Sequence, residues 1–93
     1  MTTTLSESEI QSRLEGLPEW TESSGAIQRT YVFDDFVTSM AFVNRVAGLA
    51  ESAAHHPDIL IRYGKVTLTL STHDAGGITE KDFSLASQAD QAA

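Results

Sequence analysis

There is no cysteine among the 93 residues, so neither a disulfide nor a thiolate metal site can reinforce the chain, and a cysteine nucleophile is excluded. No apolar run approaches the ~18 residues that a membrane helix needs. The start, Met1-Thr2-Thr3-Thr4-Leu5, lacks the basic and apolar regions of a secretory signal. A cytoplasmic protein that engages no membrane is expected. Positive charge is also scarce: six Lys and Arg against thirteen Asp and Glu give a net charge of -7, a field that repels phosphate backbones and argues against nucleic acid as a partner. With 41% apolar residues the chain can bury one modest core, so residues 1–93 read as a single domain. A domain this small without covalent staples is marginal, which favours self-association.

What is present is strongly patterned. Ser6 with Glu9 forms a capping-box pattern, flanked by Leu5 and Ile10 as a hydrophobic staple, and Ile10, Leu14 and Leu17 recur at helical spacing. Gly16 and Pro18 supply a left-handed stop and a block to continuation. From Trp20 the chain reads as extended, turns at Ser23-Ser24-Gly25 and continues through Ala26–Phe33 as a half-buried strand. Asp34 to Ala54 shifts to a 3.6 period, with Phe36, Met40, Val43, Ala47, Ala50 and Ala54 on one stripe flanked by Phe42, Val46 and Leu49. Its small side chains suit a helix wedged between a sheet and another helix. Pro57 ends that helix, and Ile59–Tyr63 and Lys65–Thr72 form a second hairpin about Gly64, with Val66, Leu68 and Leu70 on the buried face. Thr79 with Asp82 is a second capping box, stapled by Ile78 and Phe83; it opens a last helix through Leu85, Ala86 and Ala89 whose tail beyond Gln88 is expected to fray. The order helix, strand, strand, helix, strand, strand, helix predicts an α+β domain: a four-stranded antiparallel sheet with three helices packed on one face.

All three histidines, His55, His56 and His73, fall where this organisation brings a helix end, a loop and a strand end together. Imidazoles titrate near neutrality, so such a group can both give and take protons. His55 and His56 stand at the carbonyl end of the long helix, which favours a protonated ring, although a polar cap before proline accounts for them equally well. His73 is expected to end a strand on the buried face and so to approach the other two. A zinc or iron site from the histidines with Glu51, Asp74 or Asp82 is the competing chemistry. It is disfavoured because adjacent helical residues diverge by about 100° and the H-E-x-x-H spacing is missing. No metal is expected. No Gly-x-Ser-x-Gly elbow is present, and Gly76-Gly77 alone is no phosphate loop.

The pattern Glu51, three residues, His55-His56-Pro57, five residues, Tyr63, nine residues, His73, eight residues, Asp82 resembles the signature of pterin-4a-carbinolamine dehydratases. The likeness extends to Trp20, Phe33-Asp34-Asp35-Phe36, the stretch from Val66 to His73 and Leu85-Ala86-Ser87, nearly the whole chain. The resemblance implies dehydration of 4a-hydroxytetrahydrobiopterin to quinonoid dihydrobiopterin, in recycling of the tetrahydropterin used by aromatic amino-acid hydroxylases, with no metal or organic cofactor. It makes His55, His56 and His73 the catalytic group, and gives Ser71, Thr72, His73 and Asp74 together with His55, His56 and Pro57 the task of holding the pterin. Glu51, Asp82 and Trp20 are supporting residues: Asp82 is read chiefly as a helix cap, Glu51 as a partner for a histidine or a solvated helix residue, Trp20 as core or pocket wall. Asp74 and Asp58-Ile59 depart from the glutamate and the Glu-Trp pair associated with some members. The resemblance further implies a homodimer joined through sheet edges, or a tetramer packed through the long helix. Its alternative to catalysis is a dimerisation, assembly or transcriptional cofactor module of the same fold.

Overall fold

The computed structural model describes residues 3–93; Met1 and Thr2, part of the stretch read for a leader, lie outside it. The elements run α1 (Glu7–Glu15), β1 (Thr21–Ser23), β2 (Ala26–Val32), α2 (Phe36–Ala53), β3 (Asp58–Arg62), β4 (Lys65–Leu70) and α3 (Glu80–Ala92), with one 3₁₀ turn at His73–Ala75. The strands form one antiparallel sheet in the order β1-β2-β4-β3, the α+β architecture expected.

Local chemistry explains the boundaries. Both capping boxes form: Glu9 N–H donates to Ser6 Oγ at 3.2 Å and Ser6 N–H to Glu9 at 2.8 Å, while Thr79 N–H donates to Asp82 at 2.9 Å. Asp35 caps α2 by accepting Thr38 N–H at 2.8 Å. The first hairpin turns on Ser24 and Gly25, both with positive φ, as a two-residue turn of the primed type demands. In the second, Gly64 is needed for proximity: a Cβ there would lie 2.5 Å from the Phe33 carbonyl oxygen, whose own amide donates to Gly64 O. Gly16, expected to be left-handed, instead has φ -85, and α1 ends because Gly16 and Leu17 fold into tight turns before Pro18.

Ile27 and Tyr31 from β2, and Val66, Leu68 and Leu70 from β4, face the helices and meet Phe42 and Val46 of α2 and Leu85, Ala86 and Ala89 of α3. Each large apolar side chain fully buried there stabilises the fold by roughly 1.5–3 kcal/mol. The buried stripe of α2 is Ser39, Phe42, Val43, Val46 and Ala50; Phe36, Ala47 and Ala54, placed on the apolar stripe by periodicity, are exposed. The opposite sheet face is polar, with Gln28 bonded to Thr69 and Thr30 to Thr67 across the strands. The tail of α3 does not fray, because Asp90 accepts hydrogen bonds from Trp20 Nε1 at 3.1 Å, Arg29 at 2.9 Å and the Tyr31 hydroxyl, and Arg45 donates to Ala92 O. Burial and Asp90 together push the Tyr31 phenol far up from its ordinary value, so it stays a donor.

Candidate active site

The end of α2 directs the two adjacent histidines in different ways. Ala54 takes left-handed angles (φ 51, ψ 39), its amide donates to Glu51 O and the His55 amide donates to Ala50 O. That is a Schellman closure with alanine at the left-handed position. The sharp turn sends His55 inward, where it is 9% exposed, and leaves His56 outside.

His55 Nε2 lies 2.6 Å from Oδ1 of Asp82, a carboxylate fully buried in the first turn of α3. The other carboxylate oxygen, Oδ2, accepts the Thr79 amide and the Thr72 hydroxyl, each at 2.9 Å. The Thr72 and Thr79 hydroxyls lie 2.7 Å apart. Asp82 is therefore both the cap of α3 and the anchor of His55, through different oxygens. His56 Nε2 sits 2.5 Å from Oε2 of Glu51, one turn back on α2, and both side chains are largely exposed. Such a pair orients a ring but adds little stability.

His73 is not on a strand. β4 stops at Leu70, an isolated bridge joins Thr72 to Gly77, and His73 opens the 3₁₀ turn with its side chain exposed. The buried alternation of Val66, Leu68 and Leu70 continues to Thr72, the even-numbered neighbour, so the expected parity was off by one. The approach to the other histidines holds nonetheless: His55, His56, Ser71, Thr72, His73 and Asp74 line one cleft of about 210 Å³, with Ala54 and Lys81. A second of about 220 Å³ shares His56, Ser71 and His73 and adds Ser24, Gly25, Ala26, Asp58 and Thr69.

Of the expected site residues, Pro57 lines neither cleft, and Trp20 belongs to the core, edge-on to Tyr31. Ser71 donates its hydroxyl to Gly25 O at 3.1 Å. Lys81, Thr69 and the Ser24-Gly25-Ala26 turn were not foreseen. Only the long-range pairing of β2 with β4, which sets Ile27 opposite Leu70, brings that turn to the histidines, and Lys81 carried no signal beyond its place between Thr79 and Asp82. A larger cavity, about 660 Å³, opens at the far end of the sheet against Val32, Phe33, Arg62, Tyr63, Gly64 and Lys65. It contains no histidine or carboxylate, so chemistry and not size marks the site. Among the described residues no three His, Asp or Glu side chains converge in a way that could hold a metal ion. What the cleft offers is three imidazoles, two backed by carboxylates, beside one ammonium group.

Comparison with known proteins gives a consistent picture. Residues 3–92 match the family model described as pterin 4 alpha carbinolamine dehydratase. A relative from Roseiflexus sp. (strain RS-1), named as a candidate pterin-4-alpha-carbinolamine dehydratase, is 54% identical over 98% of both chains. Another so named, from Thermomicrobium roseum, is 57% identical over 88% of both. A crystal structure from Brucella melitensis, described as a transcriptional coactivator/pterin dehydratase, superposes with a TM-score of 0.95 at 35% identity, covering 98% of this chain and 99% of that one. A pterin dehydratase-like protein described as a RuBisCO assembly factor in the alpha-carboxysome shares the fold, with a TM-score of 0.67 at 22% identity over 80% of this chain and 88% of that one.

Proposed function

The chain belongs to the pterin 4 alpha carbinolamine dehydratase family, and from that membership we propose that it dehydrates 4a-hydroxytetrahydrobiopterin to quinonoid dihydrobiopterin and water by histidine acid-base catalysis. The observation that carries this reading is the convergence of His55, His56 and His73 on one cleft, the first two each paired with a carboxylate. In the reaction one histidine takes the proton from the ring nitrogen beside C4a. The freed electron pair forms the carbon–nitrogen double bond as the C4a–oxygen bond breaks. A second histidine protonates the departing hydroxyl, so that water leaves and not hydroxide. Glu51 and Asp82 stabilise the imidazolium forms and fix the rings, as a carboxylate does for a catalytic histidine elsewhere. Ser71, Asp74 and the His55-His56 turn hold the pterin, and Lys81 adds a donor at the cleft wall.

The setting in this reading is cytoplasmic, beside an aromatic amino-acid hydroxylase whose spent cofactor the protein recycles. No helix among the described residues is long and apolar enough to cross a membrane. The assembly is a homodimer joined through β3, an edge strand that exposes Ile59 and Leu60, or a tetramer of such dimers packed through α2, which exposes Phe36 and Val37. The second reading, a non-catalytic dimerisation, assembly or coactivator module, draws support from the description of the Brucella melitensis structure.

Turnover separates the two. Purified protein is expected to accelerate the loss of 4a-hydroxypterin absorbance, and His56→Ala or His73→Ala to slow it by ~10²-fold or more, the scale of general acid-base catalysis. Wild-type rates in both variants, or no acceleration by the wild type, would remove the catalytic assignment and leave the binding module.

A further inference from the structure

The buried side of the site contains a chain of hydrogen bonds whose proton directions are fixed by counting. Asp82 is fully buried, and as a carboxylate it can only accept, so the Thr79 amide, the Thr72 hydroxyl and His55 Nε2 must all donate to it. The single hydrogen of Thr72 is then spent on Asp82. The 2.7 Å contact between the two hydroxyls therefore requires Thr79 to donate to Thr72, and Thr79 Oγ1 in turn accepts the Lys81 amide at 3.2 Å. Every hydrogen in the series points towards Asp82. Among the described residues no buried side-chain polar atom lacks a partner.

We propose that Thr72 is a positioning residue: its inward hydroxyl keeps Asp82 an acceptor, and Asp82 thereby holds His55 as the Nε2–H tautomer with Nδ1 left to exchange protons in the cleft. This rests on the acid-base reading above and adds a residue that does not touch substrate through its hydroxyl. The role differs from the substrate-holding one that the family resemblance implied for Thr72. The Thr79 amide is bound to the capping of α3 and is always supplied; the Thr72 hydroxyl is the one donor to Oδ2 that a side chain contributes. Without it, Oδ2 keeps only the Thr79 amide, the carboxylate is less firmly fixed, and His55 loses the oriented acceptor that selects the Nε2–H tautomer, so the Nδ1–H tautomer becomes populated as well.

The test pairs Thr72→Val, nearly isosteric, with Thr72→Ser, which restores the hydroxyl. Nitrogen-15 spectra of the histidine rings in the neutral form should show His55 as a single Nε2–H tautomer in the wild type and in Thr72→Ser. In Thr72→Val the two ring nitrogens should move towards averaged shifts. In turnover, kcat should fall roughly ten- to a hundredfold in Thr72→Val, the span of one charge-assisted hydrogen bond, with KM unchanged and kcat recovered by Thr72→Ser. A raised KM at constant kcat would make Thr72 a substrate contact and overturn the proposal. So would a wild-type His55 carrying its hydrogen on Nδ1, a result that needs no folded Thr72→Val protein. Failure of the catalytic reading is a separate outcome, since an inactive wild type leaves the tautomer measurement to decide the role of Thr72.

Discussion

A carboxylate without water survives only where donors meet its charge, and Asp82 has three: an amide, a hydroxyl and an imidazole. Asp82→Asn keeps the shape but places amide hydrogens against groups that are themselves donors. It is expected to lose about 1–3 kcal/mol in denaturant melts and most of the turnover, because His55 loses the partner that orients it. Glu51→Gln is the contrast. Its pair with His56 is solvent-exposed, so stability should stay within about 0.5 kcal/mol while turnover falls, a separation that melts and kinetics on the same sample would show. The histidine trio was legible in the sequence because titratable rings are few and their spacing to Glu51 and Asp82 is regular. The double duty of Asp82 was not, since a capping box accounts for one oxygen and only the fold reveals what meets the other. The same limit hid the inward hydroxyl of Thr72, which takes the buried parity that the strand pattern assigns to His73.

At the level of elements, caps and turns were readable because they are local. Both capping boxes and the Ser24-Gly25 turn stand where residue chemistry puts them. Two ends were not. Alanine gives no hint of a left-handed conformation, yet Ala54 adopts one and so separates the directions of His55 and His56. Ala54→Gly relieves the Cβ clash of that conformation and should stabilise the protein by about 1 kcal/mol in thermal or denaturant melts, with turnover retained. The last turn of α3 depends on Asp90, whose three donors come from β2 and the loop before β1, contacts up to 70 residues away in sequence. Helix termini also set the acid response. Glu9 and Asp35 are held below the ordinary carboxylate range by backbone amides, and Glu80 by Arg13 of α1. A carboxylate depressed in the folded state contributes stability above its unfolded value and loses it as pH falls through the folded one. Glu22, raised by its neighbour Glu7, acts in the opposite sense, but Glu7 itself is lowered by Gln11, so one group stands against four and does not reverse the trend. Melting temperature should therefore fall as pH drops below about 4.5, near the unfolded carboxylate values.

For the molecule as a whole the open question is what covers β3. The strand lies at the sheet edge, Leu60 is 57% exposed, and no strand among the described residues pairs with its outer side. An antiparallel pairing with a second copy centred on Leu60 sets Leu60 against Leu60 and Asp58 against Arg62 at both ends, so a net charge of -7 does not oppose the contact locally. Light scattering on the purified protein should then give twice the 10.1 kDa chain mass, or four times where α2 also pairs. Leu60→Lys places two ammonium groups opposite each other across the two-fold axis and should halve the mass. Turnover retained by the halved species, with any loss appearing as lowered melting temperature first, would place the proposed site within one chain. A wild-type monomer, or an unchanged mass in Leu60→Lys, would move the interface away from this edge. A halved mass with activity abolished would mean that the partner supplies part of the site.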